Sequence, residues 1–300
     1  MTREEATRVL LMVDTRQSDT PIVHRISAWD GLPLVVHEWR DGTSHTPLLC
    51  LPGIVRTGAD FAALARALGK DRRVIAPDYA GRGQSGRSND IKRYAPEAVL
   101  RDVLDICAAL HVHEAIAIGT SYGGLLSLGL AAMRPSLLRA IVLNDIGPDL
   151  ASKGTGFVRD FIGNDVSFPN LDMAVAHLRS ILPPLSLETD EAWRAMTALT
   201  YAPDSTGVLK PLWDIRIARL MNGKTPDLWA LFGGIVHVPV LLIWGEASDI
   251  LLPATIERMR RTHPNMTVVS LPGVGHAPTL NEPAVVAALR DFIERCPCHA

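Results

Sequence analysis

No unbroken apolar run in this chain approaches the roughly 18–20 residues that a membrane-crossing helix needs. The short stretch Val9–Val13 is likewise too brief for the apolar centre of a secretory signal. Cysteine is scarce. Cys50, Cys107, Cys296 and Cys298 are the only four, and their irregular spacing is not that of a disulfide framework. Cys50 lies inside an apolar run and reads as a small buried hydrophobe. The tail Cys296-Pro297-Cys298-His299 lacks a complete ligand set, so no metal is expected there. Excess charge is also missing: the formal net charge is −2, which argues against a nucleic-acid surface. The glycine-rich segment Tyr79–Gly86 has no Lys-Ser/Thr and does not lead directly into a helix, which excludes a phosphate-binding loop. There is no internal repeat. These absences lead us to expect a cytoplasmic protein with neither nucleic acid nor membrane as a partner.

What is present is apolar substance, 47% of 300 residues, enough for a large core with an insertion. Residues 1–20 read as a loose polar arm. Pro21–Ala28 and Leu32–Trp39 flank a Trp29-Asp30-Gly31 turn and predict an antiparallel hairpin. Apolar runs at Pro47–Leu51, Val74–Asp78, Ile116–Thr120, Leu138–Leu143, Val238–Trp244 and Met266–Leu271 predict strands covered on both faces. Helical spacing falls between them, over Asp60–Gly69, Pro96–Leu110, the stretch after Ser121, Pro253–Thr262 and Pro283–Arg295. This alternation predicts an α/β fold with a mostly parallel, doubly wound sheet. From 149 to 234 the rhythm stops. No buried strand is expected there, helices are predicted near 156–163, 171–182, 188–199, 209–221 and 226–233, and large aromatic side chains gather. The expected division is therefore a discontinuous core, 21–148 with 235–300, and a helical cap at 149–234 lying over the strand ends, where open α/β sheets bind ligands.

The chemistry centres on Gly119-Thr120-Ser121-Tyr122-Gly123, placed between a predicted strand and a predicted helix. In such a strand–turn–helix a serine hydroxyl is thrust out above the sheet, and small flanking residues let strand and helix pass closely. A serine hydroxyl is a poor nucleophile without a base, and the base needs an orienting acid. His276, in a loop of small residues after the last strand, is the candidate base. His237 precedes its strand and reads as structural. Three acids are open: Asp249, Glu246 and Asp145. Asp249 is favoured because it leads into an apolar segment and a proline-started helix that would fix its loop. Asp78 belongs to a strand before the serine and is expected to brace the Gly81–Gly86 loop. Two backbone N–H groups should face the developing oxyanion, those of Tyr122 and of Ile54, the latter next to Gly53.

On Gly119–Gly123, Asp78–Ser85, Gly245–Asp249, Gly275-His276 and Glu282-Pro283, the chain from about 22 to 295 resembles the α/β-hydrolase superfamily, in its capped branch of carboxylesterases, C–C hydrolases, epoxide hydrolases and dehalogenases. The resemblance implies the triad Ser121, Asp249 and His276. Two departures bear on it. Where the branch usually carries His-Gly at the oxyanion strand end, this chain has Pro52-Gly53. Where dehalogenases and epoxide hydrolases carry Asp, it has Ser121, which disfavours their chemistry. The expected function is hydrolysis of a small to medium, largely apolar carboxylic ester or lactone through an acyl-enzyme, a reaction on a small-molecule substrate that needs neither metal nor organic cofactor. The alternatives are C–C hydrolysis of a β-diketone or ring-cleavage product, against which Ala277 stands where a Trp is frequent, and a non-catalytic receptor. Trp193, Trp213 and Trp229 of the cap are expected to line the pocket, whereas Arg56 beside the oxyanion loop and Arg216 in the cap read first as surface or cap-packing charges, with a substrate carboxylate as the alternative partner.

Overall fold

The computed structural model describes residues 20–40, 45–69, 72–223 and 227–296. Most of the expected polar arm and the Cys298–His299 tail lie outside them. Ten strands and nine α-helices occur in the described residues. They are β1 (Ile22–Ser27), β2 (Pro33–Arg40), β3 (Leu48–Leu51), α1 (Ala62–Leu68), β4 (Arg73–Asp78), α2 (Pro96–Ala109), β5 (Ala115–Thr120), α3 (Tyr122–Met133) and β6 (Leu138–Asn144). The chain continues with α4 (Ser152–Gly163), α5 (Leu171–Ile181), α6 (Asp190–Ala198), β7 (Tyr201–Pro203), β8 (Leu209–Pro211) and α7 (Trp229–Gly234). It ends with β9 (Val240–Gly245), α8 (Pro253–Thr262), β10 (Thr267–Leu271) and α9 (Pro283–Glu294).

Eight strands form one sheet in the order β1-β2-β4-β3-β5-β6-β9-β10. β1 and β2 pair antiparallel, β2 meets β4 antiparallel, and every pairing from β4 to β10 is parallel. Parallel neighbours require crossovers, and the helices supply them on both faces. Alternate strand residues therefore enter two separate cores. Leu49, Ala117, Ile141 and Leu242 pack with Val103 of α2, Leu126 of α3 and Met259 of α8. Leu48, Ile116, Val142 and Leu241 pack with Leu64 of α1 and Leu289 of α9. Cys50 is fully buried in the second cluster, where burial pushes its thiol pKa far up, so it behaves as an inert hydrophobe.

The insertion between β6 and β9 departs from the expected all-helical pattern. β7 and β8 pair antiparallel, and residues 209–221, expected to be one helix, are instead β8 followed by a 3-10 segment at Ile215–Asn222. The reason is local. Asp204 accepts hydrogen bonds from the backbone of Thr206 and Val208, Gly207 takes φ 84°, and together they close a hairpin turn that three-residue strands are too short to announce by periodicity. The hairpin region is tied to the core, because Gly83 N–H donates to Leu212 O and Asp214 N–H donates to Gly81 O.

Candidate active site

Ser121 sits between β5 and α3 with φ 53° and ψ −117°, a strained setting for a residue with a Cβ. Two glycines make the turn possible. A Cβ on Gly119 would lie 2.4 Å from the Gly123 carbonyl carbon, and one on Gly123 would lie 1.9 Å from Leu51 O. The turn points the Ser121 hydroxyl at His276, whose Nε2 accepts from it at 2.8 Å. On the far side of the ring, Nδ1 donates to Asp145 Oδ2 at 2.8 Å.

The acid at His276 is thus Asp145, and the expectation for Asp249 is corrected. Asp249 projects outward, 58% exposed, and pairs with Lys153 at 3.0 Å. Its loop is turned by Ser248, whose hydroxyl accepts from Ile250 and Leu251 N–H, so the carboxylate faces solvent. Asp145 directly follows β6, takes φ 53° in the left-handed region that Asp tolerates better than most residues, and has no solvent exposure in its side chain. Its Oδ1 accepts from Gly245 N–H at 3.0 Å, which fixes the carboxylate between β9 and the imidazole. Among the described residues Glu246 makes no hydrogen bond or ion pair with His276 or Asp145; its N–H donates to Leu271 O.

Sequence reasoning passed over Asn144 and gave Glu282 no role beyond its place in a motif, yet both carry the His276 loop. Asn144, fully buried, donates from Nδ2 to Pro278 O at 2.9 Å and to Thr120 Oγ1 at 3.1 Å. Glu282 accepts from Thr279 N–H at 2.8 Å and also from Ser186 of the insertion. The one signal for Asn144 was a polar residue at the end of an apolar strand, next to Asp145.

The loop after β3 is held from beneath. Tyr79 OH donates to Pro52 O at 3.2 Å and Arg82 Nε donates to Ile54 O at 2.8 Å. Arg82 is 1% exposed and lies among the rings of Tyr79, Tyr94 and Tyr122. Asp78 braces its surroundings as expected, accepting from Gly58 N–H at 2.8 Å and Gln84 N–H at 2.9 Å. Tyr122 opens α3, so its N–H has no partner within the helix. Neither it nor the Ile54 N–H donates to another backbone group among the described residues.

Ser121 and His276 stand at the wall of a cavity of about 480 Å³, which the insertion roofs with Phe157, Phe161, Leu178, Leu182, Leu187 and Met196. None of the three tryptophans is among its lining residues. Trp213 is 2% exposed, donates Nε1–H to Ile162 O and packs behind Phe161. Trp193 donates Nε1–H to Leu187 O, and Trp229 lies under the Arg258 guanidinium of α8, 3.7 Å from its ring centre. All three serve packing around the cavity rather than its lining, and the indole N–H groups of Trp213 and Trp193 each find a backbone carbonyl. We expect Trp213→Ala to cost about 3–5 kcal/mol of stability in urea unfolding, with cavity selectivity unchanged. Arg216, read from the sequence first as a surface or cap-packing charge, binds Asp214 and Ser88 O. Among the described residues no group of His, Cys, Asp and Glu is arranged for a metal, and no helix is long and apolar enough to cross a membrane.

Residues 46–283 match the family described as alpha/beta hydrolase fold, and the chain belongs to that family. It is similar to the 3-hydroxybutyrate-oligomer hydrolase of Cupriavidus necator, 34% identical over 86% of this chain and 92% of that protein. It also resembles the crystal structure of an alpha/beta hydrolase from Novosphingobium aromaticivorans, with a TM-score of 0.86, 34% identity, and coverage of 92% of this chain and 98% of that one. The 2-(acetamidomethylene)succinate hydrolase of Mesorhizobium japonicum is 24% identical over 90% of this chain and 96% of its own. A family of hydrolases acting on small molecules is thereby defined.

Proposed function

We propose that this protein is a serine hydrolase of small, largely apolar carboxylic esters, with Ser121, His276 and Asp145 as its catalytic triad. The observation that carries the reading is the unbroken relay from Ser121 Oγ through His276 to a fully buried carboxylate, opening on an apolar cavity. His276 Nε2 takes the Ser121 proton as Oγ attacks the ester carbonyl. Asp145 holds Nδ1–H and stabilises the imidazolium. The N–H groups of Ile54 and Tyr122 receive the oxyanion, and the clamp of Tyr79 and Arg82 keeps the first of them in place. The imidazolium then returns the proton to the leaving alkoxide. A water, deprotonated by the same imidazole, hydrolyses the acyl-enzyme and regenerates Ser121. The insertion 149–234 acts as a cap that sets chain length.

The similarity to a hydrolase of hydroxy-acid oligomers favours an ester over a C–C bond as the target. An intact relay also argues against a purely receptor role. A fluorophosphonate probe should label Ser121, located by peptide mass, and a p-nitrophenyl ester series run beside lactones and β-diketones should show the short and medium esters cleaved fastest. Absence of labelling, or turnover of β-diketones alone, overturns this reading. Leu182→Phe, which fills part of the apolar roof, should move the preferred acyl chain to shorter lengths in kcat/KM.

A further inference from the structure

One polar feature of the cavity is not used by the chemistry above. Arg56 follows the oxyanion loop, and its own N–H donates to Gly53 O at 3.0 Å, folding residues 53–56 into a single turn. Its guanidinium is held in the cavity wall by three bonds. Nε donates to Asp60 Oδ2 at 2.6 Å, one Nη donates to Asp60 Oδ1 at 2.7 Å, and the other donates to Thr200 Oγ1 at 2.5 Å. Arg56, Asp60, Thr200 and Met196 all line the cavity, and the Arg56 and Asp60 side chains remain 24% and 21% exposed. A guanidinium carries five N–H donors, so two are left. One faces only the Met196 thioether at 4.0 Å, a weak acceptor, and the other has no acceptor among the described residues.

Such a group is rigid, since both a carboxylate and a hydroxyl fix its plane. It is close to neutral overall, because Asp60 cancels its charge. What it lacks is one oxygen acceptor on the cavity side. It arises from the same four-residue turn as the Ile54 N–H and lines the same cavity as Ser121, so an oxygen bound there shares that cavity with the reacting carbonyl. An alkyl chain would leave both N–H groups stripped of water and unpaired, which is costly, whereas a carbonyl oxygen would satisfy them. An anionic carboxylate would meet the Asp60 oxygens beside the donors and gain less.

Building on the ester-hydrolase reading, we propose that Arg56, held by Asp60 and Thr200, is a specificity residue that reads a second, neutral carbonyl oxygen close to the scissile ester, making short oligoesters of hydroxy acids the substrate class.

The test compares three p-nitrophenyl esters of matched length on the wild-type protein. They are the 3-acetoxybutyrate, the 3-methylhexanoate, which has the same shape without the inner ester, and the adipate half-ester, which ends in a carboxylate. The acetoxy ester should exceed the methylhexanoate by about 10–100-fold in kcat/KM, the worth of one or two hydrogen bonds to a charged donor. It should also exceed the adipate. In Arg56→Met/Asp60→Asn, which removes the pair without stranding a charge, the ratio of the first two should fall to within about threefold of one. A merely structural role for the pair would lower both rates together and leave that ratio unmoved. Equal wild-type rates overturn the inference and leave the ester-hydrolase reading standing. A preference for the adipate overturns the neutral-oxygen assignment. If none of the three is cleaved and Ser121 is not labelled, both readings fall.

Discussion

Ser121→Ala is expected to fold as the wild type does and to lose roughly 10⁴–10⁶-fold in ester turnover, the scale set by removal of a serine nucleophile from a working triad. Folding should be spared for a specific reason. The strain at φ 53° comes from having any Cβ in that turn, and alanine has the same Cβ. The hydroxyl makes one bond, to His276 Nε2, and its loss leaves the ring held from its other side by Asp145. Circular dichroism and thermal unfolding should therefore match the wild type while p-nitrophenyl ester cleavage disappears and fluorophosphonate labelling stops. Turnover within tenfold of wild type would place the nucleophile elsewhere in the cavity.

Much of this arrangement was legible in the sequence because it is written in short-range terms. Each parallel strand is a run of apolar residues buried on both faces, and Leu48–Leu51 and Leu138–Asn144 appear as such. The serine turn announces itself by two glycines, each of which the structure shows to be sterically required. His276 was found because only one histidine follows the last strand in a loop of small residues. The acid was not legible in the same way. Asp145 and Asp249 both follow the serine and precede the histidine, and both come after an apolar strand, so chain order cannot separate them. What separates them is direction. Asp145 leaves β6 with a left-handed residue that turns its carboxylate inward, whereas Ser248 closes a turn that sends Asp249 outward. Neither is visible as a residue pattern. The tryptophans misled for a related reason. Size marks a buried side chain, but not which of two apolar surfaces it joins, and the cavity took its walls from leucine, methionine and Phe157 with Phe161.

The choice between the two aspartates gives the second large expected effect. Asp145→Asn should fold normally, since asparagine is isosteric and equally at home at φ 53°. Gly245 N–H already donates to Oδ1, and it will continue to hold an oxygen there. The amide –NH₂ must then face His276 Nδ1, which can only accept from it, so the imidazole proton is driven to Nε2. In that tautomer Nε2 donates toward Ser121 and cannot take its proton. The expected loss is roughly 10⁴-fold in kcat, as when the acid of such a triad is turned into an amide, with KM little changed. Asp249→Asn removes only an exposed ion pair with Lys153, a contact of little energetic weight, and should leave kcat within about twofold of wild type. The pH profile adds an independent reading. With the wrong tautomer enforced, the residual rate of Asp145→Asn should climb at alkaline pH, as hydroxide substitutes for the missing base, while Asp249→Asn should keep the wild-type profile. The reverse ranking of the two variants would mean that the loop after β9 swings inward during turnover, and that the hydrogen bond between His276 and Asp145 is structural.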